Sequence, residues 1–374
     1  MNSQTGSNRS RRTQVFGPAY LDRVLRIDRP LVDDALRGLV DESIDGRLEG
    51  GEGLRLIDPQ DGRIGVELPE DWPGPRGTVL LSRPLVASAK GWRREVRGIG
   101  WHDDLGGMGA GFAAVFRGEL VSALGADDDP TSRAIVGLLA RAGVAHRPIR
   151  IAGHPADWTL LITSAEFGDK LPIGFRGCHA AIVALSDRVD FQCGLRVVAA
   201  LPNRLAGPLL RAPGPAVRFF APASRNMVDA DEPLARFSDA IDFLSCNRRE
   251  WESQADRQHV DEAVPVLAIT DGPRGSEVRF NTTEGLRQSL HVAAFPRSHP
   301  PRDTNRAGEA YAAALLRTLL DAGWTPGPLS EDLARLAAER ASAAAALEID
   351  LERFGFPGEA TIDTACARGK LDQD

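Results

Sequence analysis

Lysine is nearly missing from this chain. Of the 45 basic residues in 374, only Lys90, Lys170 and Lys370 are lysines, so arginine carries almost all the positive charge. A Schiff-base or phosphate-loop lysine has only those three candidates, and none sits in a suitable motif. Cysteine is scarce as well. Cys178, Cys193, Cys246 and Cys366 are far apart and form no CxxC pair. That argues against a disulfide framework or a structural zinc motif, and it places the chain in a reducing cytoplasm. The four thiols read as small buried hydrophobes, and His179, beside Cys178, has no partner at zinc-ligand spacing. No window approaches the ~18 apolar residues of a membrane span. Residues 1–16 are polar and arginine-bearing, with no apolar core of a secretory signal. GxxxxGK[ST], HExxH and GxSxG are all missing, which disfavours P-loop NTPases, zincins and α/β-hydrolases. A net charge of −7 and a pI of about 5.6 leave no global basic field to recruit nucleic acid or a membrane surface.

What is present is the composition of a folded protein: 43% hydrophobic, 26% charged, mean hydropathy −0.21. The length allows one large domain or two ordinary ones. A strand is expected near 15–28, after a flexible start. Residues 30–100 mix charge, Gly and Pro with short alternating runs such as 63–68 and 78–81, a pattern of β-hairpins inserted in a larger domain. Helices are expected over 112–124 and 131–142. Strand-like runs follow at 158–163, 180–185, 196–201, 216–220, 264–270 and 277–280. Two helices close the chain, one carrying Tyr311, Leu315 and Leu319 on a single face, the other over 331–347 and rich in alanine. Strands alternating with helices predict a mostly parallel sheet covered on both faces.

Three glycine clusters punctuate this pattern. Gly106-Gly107-Met108-Gly109-Ala110-Gly111-Phe112 fits a dinucleotide GxGxxG poorly, because Phe112 stands at the third glycine. It reads as a helix-capping turn, or as bare backbone meeting a bound polyol. Thr270-Asp271-Gly272-Pro273-Arg274-Gly275 follows a strand and offers either a plain turn or an anion-facing one. Asp303-Thr304-Asn305-Arg306-Ala307-Gly308-Glu309 runs straight into a helix. The free amides of a helix start form an anion site. A carboxylate beside them suits phosphoryl transfer, with the amides neutralising charge while the acid takes a proton from a hydroxyl. The alternative is an ordinary helix start with an acid in its first turn.

Taken in order, these clusters resemble the PfkB (ribokinase) family of carbohydrate and nucleoside kinases. That family carries a Gly-Gly motif, an Asn-x-x-Glu motif, a Thr-x-Gly-x-x-Gly turn and an Asp-Thr-x-Gly-Ala-Gly-Asp signature. Here the matching segments are Gly106–Gly111, Asn247-Arg248-Arg249-Glu250, Thr270–Gly275 and Asp303–Glu309. The segment Gly17–Asp22 resembles the family's opening strand, and the resemblance covers roughly 15–29 and 104–357. It implies a ribokinase-like three-layer α/β sandwich with a mostly parallel central sheet and a small β lid. Residues 1–14 would be a flexible N-terminus, 15–29 with 104–374 the kinase domain, and 30–103 the inserted lid, through which a homodimer would pair.

The same resemblance implies ATP-dependent phosphorylation of a hydroxyl on a sugar, nucleoside or related polyol, with ATP and Mg2+ as cofactors. Asp22 would bind substrate hydroxyls, and Gly107, Gly109 and Gly111 would lie against the substrate. Asn247 and Glu250 would organise Mg2+ through water. Thr270, Gly272 and Gly275 would line the nucleotide. Ala307 and Gly308 would supply anion-hole amides, and Glu309 would be the catalytic base.

Three departures stand out. Glu309 replaces the family's aspartate and adds a methylene. Arg306 replaces a glycine, and its guanidinium would either clamp a phosphate or point to solvent. Gly111 stands where ribokinase-like members carry a substrate-binding asparagine. Together they motivate the alternative of a catalytically silent protein that binds a small carbohydrate or nucleoside. A dehydrogenase rests on 106–111 alone. Elsewhere, His102-Asp103-Asp104 resembles a metal or acid–base cluster but reads more readily as a solvated loop or, functionally, a substrate contact. Trp158 reads as core or as an aromatic against the acceptor, and Arg248-Arg249 as a phosphate contact or a helix surface.

Overall fold

The computed structural model describes residues 12–27, 44–49, 55–57, 65–67, 79–80, 92–164, 170–175, 177–351 and 353–371. The expected strand over 15–28 is two strands. β1 (Thr13–Phe16) breaks at Gly17-Pro18-Ala19, and β2 (Tyr20–Ile27) continues in a different sheet. Next come β3 (Ile44–Glu49), β4 (Arg55–Ile57), β5 (Gly65–Glu67), β6 (Val79–Leu80) and the long β7 (Trp92–Gly106). After α1 (Met108–Phe116) the chain forms β8 (Glu119–Leu124), α2 (Pro130–Arg141), β9 (Ala145–Arg150), β10 (Trp158–Ser164) and β11 (Lys170–Phe175). Then follow β12 (Leu195–Ala199), α3 (Asn203–Arg211), β13 (Val217–Ala221), α4 (Ser224–Met227), β14 (Phe243–Asn247), α5 (Arg248–Ser253) and α6 (Arg257–Ala263). β15 (Val266–Thr270), β16 (Ser276–Asn281), β17 (Arg287–Val292), α7 (Ala307–Asp321), α8 (Glu331–Glu348) and α9 (Glu359–Arg368) complete the described chain.

The larger sheet has nine strands in the order β17-β16-β15-β14-β13-β12-β1-β8-β9, parallel except for β16 and β17. Its central strands alternate between two apolar layers. Val197, Phe219, Val266 and Ala268 face α1, α7 and α8. Val198, Phe220, Leu267 and Ile269 face α3, α5 and α6. Burial on both faces is why these strands read as unbroken apolar runs. β1 lies where the strand order reverses, with β12 on one side and β8 on the other. In an open parallel sheet, ligands bind beyond the carboxyl ends of strands beside such a reversal.

The second sheet runs β11-β10-β2-β7-β3-β4-β5-β6. Its members come from residues 30–103 and also from both flanks, because β2, the end of β7, β10 and β11 lie outside that span. The described parts of the runs at 63–68 and 78–81 are β5 and β6, paired antiparallel. Of the expected flexible start at 1–14, residues 1–11 lie outside the described residues, and 13–14 already belong to β1.

Two local expectations fail for identifiable reasons. The apolar stretch 112–124 is half helix and half strand. Arg117 adopts a left-handed conformation (φ 52°) that ends α1, and a Cβ on the next residue, Gly118, would stand 3.0 Å from the Thr13 carbonyl oxygen. The run at 180–185 is a short 3₁₀ turn followed by irregular chain, not a strand. No helix among the described residues is long and apolar enough to cross a membrane.

Candidate active site

Two neighbouring parallel strands deliver two of the motifs side by side. Asn247 ends β14, Thr270 ends β15, and the two are register partners. Beyond them the chain folds Thr270, Gly272, Pro273 and Gly275 along one wall of a cavity of about 600 Å3. Ala307, Gly308 and Tyr311 of α7 form another wall, and Ser342, Ala345, Ala346 and Ile349 around α8 a third. A volume of this size suits a small-molecule ligand, for which about 300–1,000 Å3 is usual. The lining is mostly apolar, and a buried hydrogen bond from the Tyr311 hydroxyl to Ser276 Oγ (2.8 Å) braces it. Gly275 has φ +93°, and a Cβ there would stand 2.1 Å from the Val292 carbonyl oxygen, so this turn requires glycine. Around Gly308, by contrast, a Cβ would meet nothing within 4 Å. Gly308 itself is exposed, and the start of α7 has no side-chain cap.

Arg306 meets neither expectation: its guanidinium points to neither solvent nor the cavity. Its backbone takes the left-handed conformation a glycine would favour (φ 62°). Its side chain is buried, with Nε donating to Glu348 Oε1 at 3.0 Å and Nη2 to the Arg353 carbonyl at 3.1 Å. Asp104 lies 3.7 Å and Asp303 3.9 Å from the same guanidinium, and Phe354 stacks 5.7 Å from it. Glu348 is fully buried, and burial pushes its carboxyl up to about 7 against the pull of Arg306. The backbone amides of Arg302 and Asp303 donate to the Ile349 carbonyl, fastening the signature turn to the end of α8.

Glu309 sits in the first turn of α7, half-buried. Its carbon chain packs over Gly111: a Cβ at that position would meet Phe356 Cζ at 3.4 Å and Glu309 Cγ at 3.6 Å. Two departures from the family pattern thus share one space. The longer acid at 309 fills room that a side chain at 111 would occupy. Asn247 and Glu250 form a reciprocal cap on α5, with Glu250 N donating to Asn247 Oδ1 (2.8 Å) and Asn247 N to Glu250 Oε2 (3.0 Å). Burial raises the Glu250 pKa, and the charge of Glu309 raises it further. Carboxylate oxygens are the ligand type of a hard divalent cation, so these two acids are the candidates here to hold one. Arg248 is committed to Glu277 (2.5 Å), whereas Arg249 is exposed.

Asp22 lies on β2 directly opposite Asp104 on β7, so both carboxylates share one face of the second sheet. Both are buried, and Gly106 leaves the room Asp22 needs, since a Cβ there would fall 2.1 Å from its carboxylate. Like charges placed opposite are unfavourable, and Arg306 beside Asp104 offsets them. Asp103 pairs bidentately with Arg23 (2.8 and 3.1 Å), and Asp104 accepts from the backbone amides of Leu105 and Phe354. The 102–104 segment is therefore strand, not a solvated loop. The sides of Gly107 and Gly109 that a Cβ would take face Pro18 and Gly17, so close chain packing accounts for both glycines. Trp158 is core, 2% exposed.

Sequence reasoning overlooked Phe295, Arg297, His299 and the α8 residues in the cavity wall. Arg297 and His299 both bind Asp350, at 2.5 and 3.0 Å. The one available signal was the alanine-rich face of α8, whose small side chains let it approach α7 closely.

No family model matches the sequence, and no curated protein matches it. Solved structures do. A ribokinase from Giardia lamblia is similar with a TM-score of 0.63 at 15% identity, covering 96% of this chain and 99% of that one. The Methanocaldococcus jannaschii nucleoside kinase, an archaeal member of the ribokinase family, gives 0.61 at 13% identity over 96% and 98%. Arabidopsis thaliana ribokinase, solved with ribose and ATP, gives 0.58 at 17% identity over 95% and 98%. The chain has the ribokinase fold along almost its whole length.

Proposed function

We propose that this protein is an ATP-dependent kinase that phosphorylates a hydroxyl of a sugar, nucleoside or related small polyol. One observation carries the reading: the cavity lined by Thr270, Gly272 and Gly275 runs up to the uncapped amides of Ala307 and Gly308, with Glu309 in the same helical turn. The nucleoside portion of ATP would occupy the apolar cavity between the 270–275 turn and α8. The transferred phosphoryl group would lie at the start of α7, where amides and the macrodipole stabilise negative charge. Glu309 would hold the acceptor hydroxyl and take its proton as the oxygen attacks phosphorus. Asp22 would orient the acceptor's other hydroxyls from the second sheet. Asn247 and Glu250 would hold Mg2+ through water, and the bound ion would neutralise phosphate oxygens. The structural neighbours include an inosine-bound nucleoside kinase from Burkholderia thailandensis and the ribose- and ATP-bound ribokinase. Both support a polyol acceptor.

The test is acceptor-dependent ADP formation over pentoses, hexoses and nucleosides with Mg-ATP, using Glu309→Gln as the blank. Turnover on one class, lost in the variant, is expected. Turnover unchanged in Glu309→Gln removes the assigned mechanism. A ligand-binding protein without transfer activity is the second reading, and the inward-turned Arg306, which offers phosphate no cation, favours it. Thermal stabilisation by a sugar or nucleoside but not by Mg-ATP would select it.

A further inference from the structure

The foot of the second sheet holds a cluster that the kinase reading does not use. Asp157, just before β10, is fully buried, and Cys178 and His179 sit on the 3₁₀ turn after β11, also buried. Spacing along the sequence concealed this grouping, because the partner His179 lacked stands far upstream at Asp157. Asp157 Oδ1 lies 3.4 Å from Cys178 Sγ and 3.4 Å from His179 Nδ1, and those two atoms are 3.7 Å apart. The same oxygen accepts from the backbone amides of Gly177 (3.0 Å) and His179 (3.1 Å). Asp157 Oδ2 and His179 Nε2 are buried and have no hydrogen-bond partner.

We propose that Asp157, Cys178 and His179 form a zinc site. The triangle of donor atoms has the dimensions of one face of a zinc tetrahedron. Bonds of about 2.3 Å to sulfur and about 2.0–2.1 Å to nitrogen or oxygen put neighbouring ligands about 3.3–3.6 Å apart. The donor set is one sulfur, one imidazole nitrogen and one carboxylate oxygen, which selects Zn2+ over the oxygen-seeking Mg2+. A thiolate and a carboxylate together balance a dication, as burial demands. Three protein ligands leave a fourth position for water or another ligand. Amides that donate to the ligating carboxylate fix its orientation, the usual work of groups behind a metal ligand. The site would fasten the sheet at its base. The Asp157 carbonyl accepts from Leu21 N on β2, and the ring of Tyr20, at the start of β2, stands edge-on to His179 with centroids 5.5 Å apart.

The test uses the purified full-length chain, stripped with a chelator and titrated with Co2+ as a spectroscopic probe. One equivalent bound with a thiolate-to-cobalt charge-transfer band is expected, displaced by Zn2+. Cys178→Ser should abolish the band, while Cys193→Ser and Cys366→Ser each retain it. Asp157→Asn should weaken binding by more than about 100-fold, since losing an outer partner alone costs about 10–100-fold. Absence of the band in the wild-type protein overturns the proposal, whatever the variants do. So does a band that persists in Cys178→Ser. If Cys178→Ser does not fold, location rests on the two control variants, and loss of the band from either, folded, overturns it.

Discussion

The two sides of the α7 start are built from opposite materials. On the cavity side, glycines, alanines and prolines make up much of the wall, and among the described residues the Arg297 and His299 side chains there both bind Asp350. On the side of the second sheet, buried Asp104 and Glu348 and half-buried Asp303 gather around the buried guanidinium of Arg306, and buried Asp22 stands opposite Asp104. The first side is a space kept empty by small residues. The second is a space filled by charge. A ligand pocket tolerates little change in shape, whereas a buried ion network tolerates little change in charge, so the two should respond to different substitutions.

The largest effect is expected on the charged side. Arg306→Met removes the cation from a buried acidic cluster and should cost about 3–5 kcal/mol of stability in chemical denaturation. Adding Glu348→Met should restore much of that loss, because the pair would leave together. Equal losses in the single and double variants would show that Arg306 does not act through Glu348.

Gly111→Asn tests whether positions 111 and 309 share space. A Cβ there would already touch Phe356 and Glu309, so the amide beyond it should crowd them, and overpacking of this kind costs about 1–3 kcal/mol. Glu309→Asp in the same chain should relieve part of the cost, and a thermal melt of the four chains of this cycle reads the coupling. Strict additivity would break the argument.

On the open side, Gly308→Ala should separate stability from binding. Alanine is the better helix former by about 0.8–1 kcal/mol, and its methyl meets nothing in the protein. Stability should hold or rise while Mg-ATP binding, measured by calorimetry, weakens by about tenfold, the effect of about 1.4 kcal/mol. Unchanged affinity would mean the phosphates lie elsewhere.

The smallest net effect is a pair of opposed pH slopes that largely cancel. Glu348 is raised by burial to about 7, from an ordinary 4.5. In that window the folded chain holds a proton that the unfolded chain has lost. The contribution is therefore full below about 4.5 and fades as the pH rises to about 7. His146 is lowered to about 4 by burial and by Arg150, from an ordinary 6.5, and acts in reverse. Stability gains as pH rises through that interval, because the unfolded chain binds the extra proton. Glu348→Gln should unmask the rise and His146→Gln the fall, in denaturation series from pH 4 to 8.

The open side was the legible one. Its parts are glycine turns and a helix start, and local backbone chemistry writes these into consecutive residues: Thr270–Gly275 needs its positive-φ glycine, and 303–309 needs its helix. The parallel sheet was legible for a similar reason, since runs such as Val266–Ile269 are apolar on both faces. The charged side was not. Arg306 finds Asp104 and Glu348 in distant segments, so no spacing announces the pair. β2 reads as a continuation of β1, because nothing in Gly17-Pro18-Ala19 says that the chain leaves one sheet for another. The α8 wall of the cavity is alanine, which carries packing information but no motif.

In the proposed reaction Glu309, at the uncapped start of α7, directs transfer of the terminal phosphoryl group. Single-turnover transfer of label from the γ-phosphate of ATP to an accepted polyol tests it directly. Labelled acceptor is expected from the wild-type protein, formed about 10²–10⁴ times more slowly by Glu309→Gln, with nucleotide affinity unchanged. Equal rates in the two proteins, or label released only as inorganic phosphate, would contradict it.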